Sequence, residues 1–134
     1  MHEWALAEAV IATVVKVSKE KKLREVKELE IKIGELQQIE RGILEFALKQ
    51  FMREQKGLFK KAKIRFESEK AVLKCNICGT EWDFHNEKLS KEEFEAIHFI
   101  PEVAHSYIRC PKCKSLDFQI VKGRGVWVNS IEGI

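Results

Sequence analysis

Two cysteine pairs of identical spacing constrain this chain more than anything else in it. Cys75-Asn76-Ile77-Cys78 and Cys110-Pro111-Lys112-Cys113 each place two residues between thiols. That interval lets a tight turn aim both sulfurs at one ion, and two such turns complete a tetrahedron. Zinc with four thiolates has no open position for water, so such a site is structural. It supplies folding free energy to a segment too small to fold by itself. One pair alone would also suit redox chemistry; two pairs favour zinc. The knuckles are separated by 31 residues, 79–109, more than in the simplest zinc ribbons. That insert carries His85, His98 and His105, three of the four histidines.

The remainder alternates between two periodicities. Residues 4–18 repeat apolar side chains at helical spacing through Leu6, Val10, Val14 and Val17, and residues 39–54 do so through Ile39, Ile43, Phe46 or Ala47, Gln50 and Phe51, with Leu44 and Leu48 widening the stripe. Residues 26–36 switch to period two, with Leu29, Ile31 and Ile33 expected inward and Glu28, Glu30 and Lys32 outward, ending at Gly34. Residues 61–67 alternate again, and Phe118, Ile120, Val126 and Val128 flank Gly123-Arg124-Gly125 as strand, Gly-rich turn or bulge, and strand. Within the insert, Ser90 and Glu93 form a capping-box pair for a helix over about 91–98, stopping before Pro101, with His98 at its C-terminal end. His85 and His105 read as surface or partly packed residues.

The expected class is α+β: a small β-sheet covered by two helices with an inserted four-cysteine zinc module. Residues 70–115 would form the zinc-binding domain, and residues 1–69 plus 116–134 the other.

Charge decides which partners fit. There are 24 Lys and Arg against 21 Asp and Glu, a net +3, and the two signs interleave. That reads as a solvated surface with no expectation of nucleic-acid or membrane binding. No apolar run approaches a bilayer's thickness, and Glu3 and Glu8 spoil a signal-peptide pattern. A cytoplasmic location follows, where thiols stay reduced. No nucleophile pattern or phosphate loop is present, so no enzyme is expected; Glu40 and Glu45 read as a solvated helix face.

The first residues are Met1-His2-Glu3. A free α-amine, the His2 amide nitrogen and its imidazole Nδ1 can close adjacent chelate rings on one ion. Planar nitrogen donors suit Ni(II) or Cu(II), whereas zinc prefers a tetrahedron. A fourth donor is needed: the Glu3 amide or carboxylate, a water, or a distant histidine. In a second arrangement the amides of His2 and Glu3 both bind and the α-amine does not. The bulky His2 should block removal of Met1.

Met1-His2-Glu3, Ile31-Lys32-Ile33-Gly34-Glu35-Leu36, the two knuckles, and the tail Gly125-Val126-Trp127-Val128-Asn129-Ser130-Ile131-Glu132 occur in one order along the chain. Together they resemble the HypA family of nickel metallochaperones, across essentially the whole sequence. The resemblance implies nickel at Met1, His2 and Glu3, structural zinc at Cys75, Cys78, Cys110 and Cys113, and no catalysis. It makes residues 1–69 plus 116–134 the nickel-binding domain. It also implies work with a HypB-type GTPase, loading the nickel–iron hydrogenase large-subunit precursor, with urease served by some members. The long gap between knuckles looks like the archaeal branch, in which a histidine of the insert helix completes the nickel site; His98 is the matching position. The zinc module would then swing toward His2, coupling nickel binding to domain orientation. The rival reading is a zinc-ribbon module binding nucleic acid or protein. The sequence is silent on oligomeric state, and a homodimer stands beside a monomer as an open expectation.

Overall fold

The computed structural model describes residues 2–37 and 39–134. Its elements run α1 Glu3–Glu20, β1 Val26–Gly34, α2 Arg41–Arg53, β2 Lys63–Glu69, β3 Val72–Cys75, β4 Glu81–Asp83, α3 Lys91–Phe99, β5 Phe118–Lys122 and β6 Val126–Gly133. Short 3-10 turns cover Phe84–Asn86 and Pro101–Ser106. The chain divides into two compact units: residues 2–32 with Ile39–Glu67 and Val126–Ile134, and residues 33–37 with Ser68–Gly125.

The first unit holds α1, α2 and a three-stranded sheet ordered β2-β1-β6. The apolar stripe of α1 is buried at Ala7, Val10, Ile11 and Val14, and that of α2 at Leu44, Ala47, Leu48 and Met52. These faces make the helix–helix contact, with Val26, Leu29 and Ile31 of β1 also buried. At the open end of the helix pair, Trp4 stands edge-on to Phe46 and Phe51, with ring centroids 6.0 and 5.9 Å apart.

β1 departs from simple alternation. Glu30 is only 5% exposed, although its position alternates with apolar residues and was expected to face water. The reason is that β1 is the central strand. Arg65 of β2 and Asn129 of β6 reach Glu30 from either side, Asn129 Nδ2 donating at 2.7 Å. The Arg65 guanidinium, then the Asn129 amide, hold its carboxyl below the usual value.

The second unit has a sheet of its own, ordered β4-β3-β5 and antiparallel, with Leu73 opposite Trp82 and Cys75 opposite Phe118. Its core gathers Leu36, Ala71, Leu73, Phe84, Ile97, Ala104, Ile108 and Phe118. The capping box on α3 forms as expected: Ser90 Oγ accepts from the Glu93 N–H, and Glu93 Oε1 from the Ser90 N–H.

The Gly-rich stretch does not close a hairpin. β5 pairs with β3, while β6 lies beside β1 in the other sheet, so residues 123–125 link two sheets. For the same reason β5 joins the cysteine-bearing unit, which extends to Gly125 where the sequence reading stopped it at 115. In this stretch a Cβ on Gly34 would lie 2.3 Å from the Gly123 carbonyl oxygen, and one on Gly123 would lie 2.3 Å from the Ala71 Cα. Two carboxylates stitch the crossing: Glu35 accepts from the Ala71 N–H at 2.7 Å and Glu69 from the Gly123 N–H at 2.9 Å.

Candidate metal sites

The two knuckles are built alike. In the first, the Cys75 N–H bonds the Thr80 carbonyl and the Gly79 N–H returns to the Cys75 carbonyl. In the second, the Cys110 N–H bonds the Ser115 carbonyl and the Lys114 N–H returns to the Cys110 carbonyl. The fourth residue after the leading cysteine is left-handed in both, Gly79 at φ 76° and Lys114 at φ 65°. The leading sulfurs also accept backbone bonds: Cys75 Sγ from Ile77 and Cys78, and Cys110 Sγ from Cys113, at 3.4–3.5 Å. Such amide bonds stabilise a thiolate.

β3 ends in Cys75, and its pairing with β4 and β5 fixes the first knuckle; the four sulfurs converge within 4.8 Å of one another. The closest pairs are Cys75–Cys113 at 3.5 Å and Cys78–Cys110 at 3.6 Å. A tetrahedron with Zn–S bonds of about 2.3 Å has edges of roughly 3.8 Å, so the donor set fits zinc without rearrangement of the fold. The thiols are free of disulfides, with Cys75 and Cys110 buried and Cys78 and Cys113 exposed. Four thiols this close together cannot all ionise unless a cation sits among them. The Thr80 hydroxyl and backbone pull Cys78 down to about 6. Cys113 is favoured as thiolate by the Ser115 backbone, yet its neighbours Cys75, Cys110 and Cys78 push it up to about 12. A divalent ion at the centre removes that conflict.

The N-terminal residues sit differently. Met1 lies outside the described residues. His2 is exposed at the N-cap of α1, and its carbonyl accepts the first helical bond, from the Leu6 N–H at 2.9 Å. The amide nitrogens of His2 and Glu3 therefore precede the helical ladder. Glu3 is only 7% exposed, and its Oε2 accepts from the Glu40 backbone N–H, the N-cap of α2, at 3.2 Å. The start of α1 is thus tied to the start of α2. Glu40, read from sequence as part of a solvated helix face, is exposed but stands beside Glu3; its spacing from Glu45 gave no hint of that tertiary position.

His98 belongs to the cysteine-bearing unit. Its Nδ1 lies 2.7 Å from the Phe94 carbonyl, which can only accept, so Nδ1 carries the proton and Nε2 the donor lone pair. The ring stacks on Phe94 at 6.2 Å and meets Phe84 edge-on at 6.4 Å. His105 is exposed, donates to the Leu116 carbonyl and stacks on Phe118 at 4.2 Å, and His85 is exposed; both fit the expected surface or partly packed residue.

The family model described as "Hydrogenase/urease nickel incorporation, metallochaperone, hypA" matches residues 1–133. The chain belongs to the HypA family. It is 44% identical to the hydrogenase maturation factor HypA of Pyrococcus horikoshii over 135 residues, covering 98% of this chain and 95% of that protein. It is 43% identical to the HypA of Pyrococcus furiosus, covering 98% and 94%. Its fold matches the solution structure of the Ni metallochaperone HypA from Helicobacter pylori, with a TM-score of 0.68 at 21% identity over 100% of this chain and 98% of that one. This chain is thus a HypA-type metallochaperone of nickel incorporation in hydrogenase maturation. The family binds nickel and a structural zinc, and the four-cysteine cluster is consistent with the zinc site. Among the described residues no helix is long and apolar enough to cross a membrane.

Proposed function

We propose that the chain carries one Ni(II) at its N-terminus and one structural zinc at Cys75, Cys78, Cys110 and Cys113. The observation that carries the nickel reading is the placement of His2 and Glu3 ahead of the first helical hydrogen bond. Their amide nitrogens can be deprotonated and bound to nickel without removing a rung of α1. A deprotonated amide also gains from the positive end of the helix dipole. The Glu3 carboxylate is engaged with the Glu40 N–H, so Glu3 contributes through its amide and anchors through its side chain.

The Met1 α-amine or the Glu3 amide, with the His2 amide and imidazole, supplies three planar donors. The fourth comes from His98 Nε2, whose tautomer the Phe94 carbonyl fixes, or from the carboxylate of Glu40 beside Glu3. Nickel is cargo here. A partly exposed terminal site can release it when a recipient offers better-placed ligands, while a closed four-thiolate site retains its zinc. The chain performs no catalysis in this reading. It works in the cytoplasm with a HypB-type GTPase and delivers nickel to the hydrogenase large-subunit precursor; a homodimer is compatible with the same chemistry.

The test is a nickel titration of untagged, zinc-loaded protein followed through the d–d spectrum, with His2→Ala, His98→Ala and Glu40→Gln alongside. Wild type should take up one nickel in a planar, nitrogen-rich site, and His2→Ala should not. Whichever of the other two weakens binding or shifts the spectrum names the fourth donor. Nickel uptake by His2→Ala equal to wild type would sink the terminal site.

A further inference from the structure

The chain's net charge hides a local concentration. Residues 49–63 hold Lys49, Arg53, Lys56, Lys60, Lys61 and Lys63 against the single acid Glu54, a net +5. The whole chain carries +3, so the other 119 residues together carry −2. All six cations are exposed. Lys49 pairs with Glu45 at 3.3 Å, but Arg53, Lys56, Lys60, Lys61 and Lys63 have no ion pair among the described residues.

Three of these cations, Lys49, Arg53 and Lys60, line a hollow. The C-terminal end of α2 and the segment after it, as far as Ala62, border about 390 Å³, with Met52, Gln55 and Phe59 also in the lining. Met52 and Phe59 are each 8% exposed, so they floor the hollow and its lining is polar and apolar in about equal parts. Six cations against one acid within fifteen residues, three of them around one hollow of mixed polar and apolar lining, is a concentration that the rest of the chain does not share.

We infer that this corner of the first unit is a docking site for an acidic protein segment, one whose carboxylates meet Arg53, Lys60 and their neighbours while an apolar side chain enters the hollow. Phosphate is the poorer fit. It is held best by the backbone N–H groups of a helix N-terminus, and α2 presents its C-terminus here. Nucleic acid would call for exposed aromatic faces among the cations, and Phe59 is buried. The inference is independent of which groups bind nickel.

Fluorescence anisotropy on the full zinc-loaded chain tests it, with a labelled peptide of Glu-Glu-Leu repeats and an oligo-glutamate of equal charge as probes. The Glu-Glu-Leu peptide should bind more tightly than oligo-glutamate, weaken with salt, and shift the amide resonances of residues 52–62. Arg53→Glu with Lys60→Glu should weaken it about tenfold, or about 1.4 kcal/mol, while Lys16→Glu with Lys19→Glu on α1 should not; dispersed amide spectra verify that both variants are folded. Equal affinity for the two peptides would reduce the site to a general polyanion patch and overturn the inference. So would tighter binding of single-stranded DNA, the same resonance shifts with inorganic phosphate alone, or equal weakening by both double variants.

Discussion

Glu3 offers the sharpest separation of anchoring from coordination. Its carboxylate is nearly buried and accepts the Glu40 N–H at the start of α2. Glu3→Ala strands that N–H, which costs about 1–3 kcal/mol. It also removes an anion from the first turn of α1, worth about 0.3–1 kcal/mol. The sum is roughly 1.3–4 kcal/mol, and for a unit of this size it lowers Tm by roughly 5–30 °C. Glu3→Gln keeps an oxygen to accept the same bond and loses only the charge, so its Tm should fall by no more than about 8 °C. Thermal unfolding should be followed by near-UV circular dichroism, since Trp4 packs on Phe46 and Phe51 beside this contact. In parallel, Glu3→Gln should bind nickel within roughly threefold of wild type with an unchanged d–d spectrum, because amide coordination does not use the side chain. A Glu3→Gln variant with wild-type Tm and no nickel site would refute the assignment and make the carboxylate a donor.

Three further outcomes follow from the packing. Ser18 Oγ is buried in α1 without a hydrogen-bond partner among the described residues, so Ser18→Ala should stabilise the chain by about 1 kcal/mol in urea unfolding. The Glu30 carboxyl is held below its ordinary value by Arg65 and then Asn129. Its contribution is therefore present above the unfolded value and is lost as pH falls through the lowered folded value; Glu30→Gln should flatten that acid limb of the stability curve. Removing zinc with a chelator should collapse the amide dispersion of residues 68–125 while α1 and α2 keep theirs, because the thiol cluster belongs to the second unit alone.

What the sequence disclosed depended on how local the cause was. The knuckles, the capping box of α3 and the stripe of α1 are set by residues a few positions apart and were legible; on α2 the helical period was legible, but Ile43 of the expected line is 44% exposed and the buried face is Leu44, Ala47, Leu48 and Met52. Glu30 was not, because its burial comes from lying between Arg65 and Asn129 on neighbouring strands, 35 and 99 residues away. β3 and β4, of four and three residues, are too short to show a period. Gly123-Arg124-Gly125 looks like any hairpin turn until the sheet order shows its two strands parting. At the N-terminus the residues proposed to chelate nickel lie side by side in the sequence, but the tie from Glu3 to Glu40 spans 37 positions and needed the fold.

Delivery itself is tested by following the cargo. Zinc-loaded protein carrying one radioactive nickel is mixed with purified hydrogenase large-subunit precursor and the GTPase, the proteins are separated, and both metals are counted. Nickel should move to the precursor while zinc stays with the four cysteines, and His2→Ala should deliver none. Nickel retained by the chain, or zinc leaving with it, would contradict a terminal cargo site served by a closed structural one.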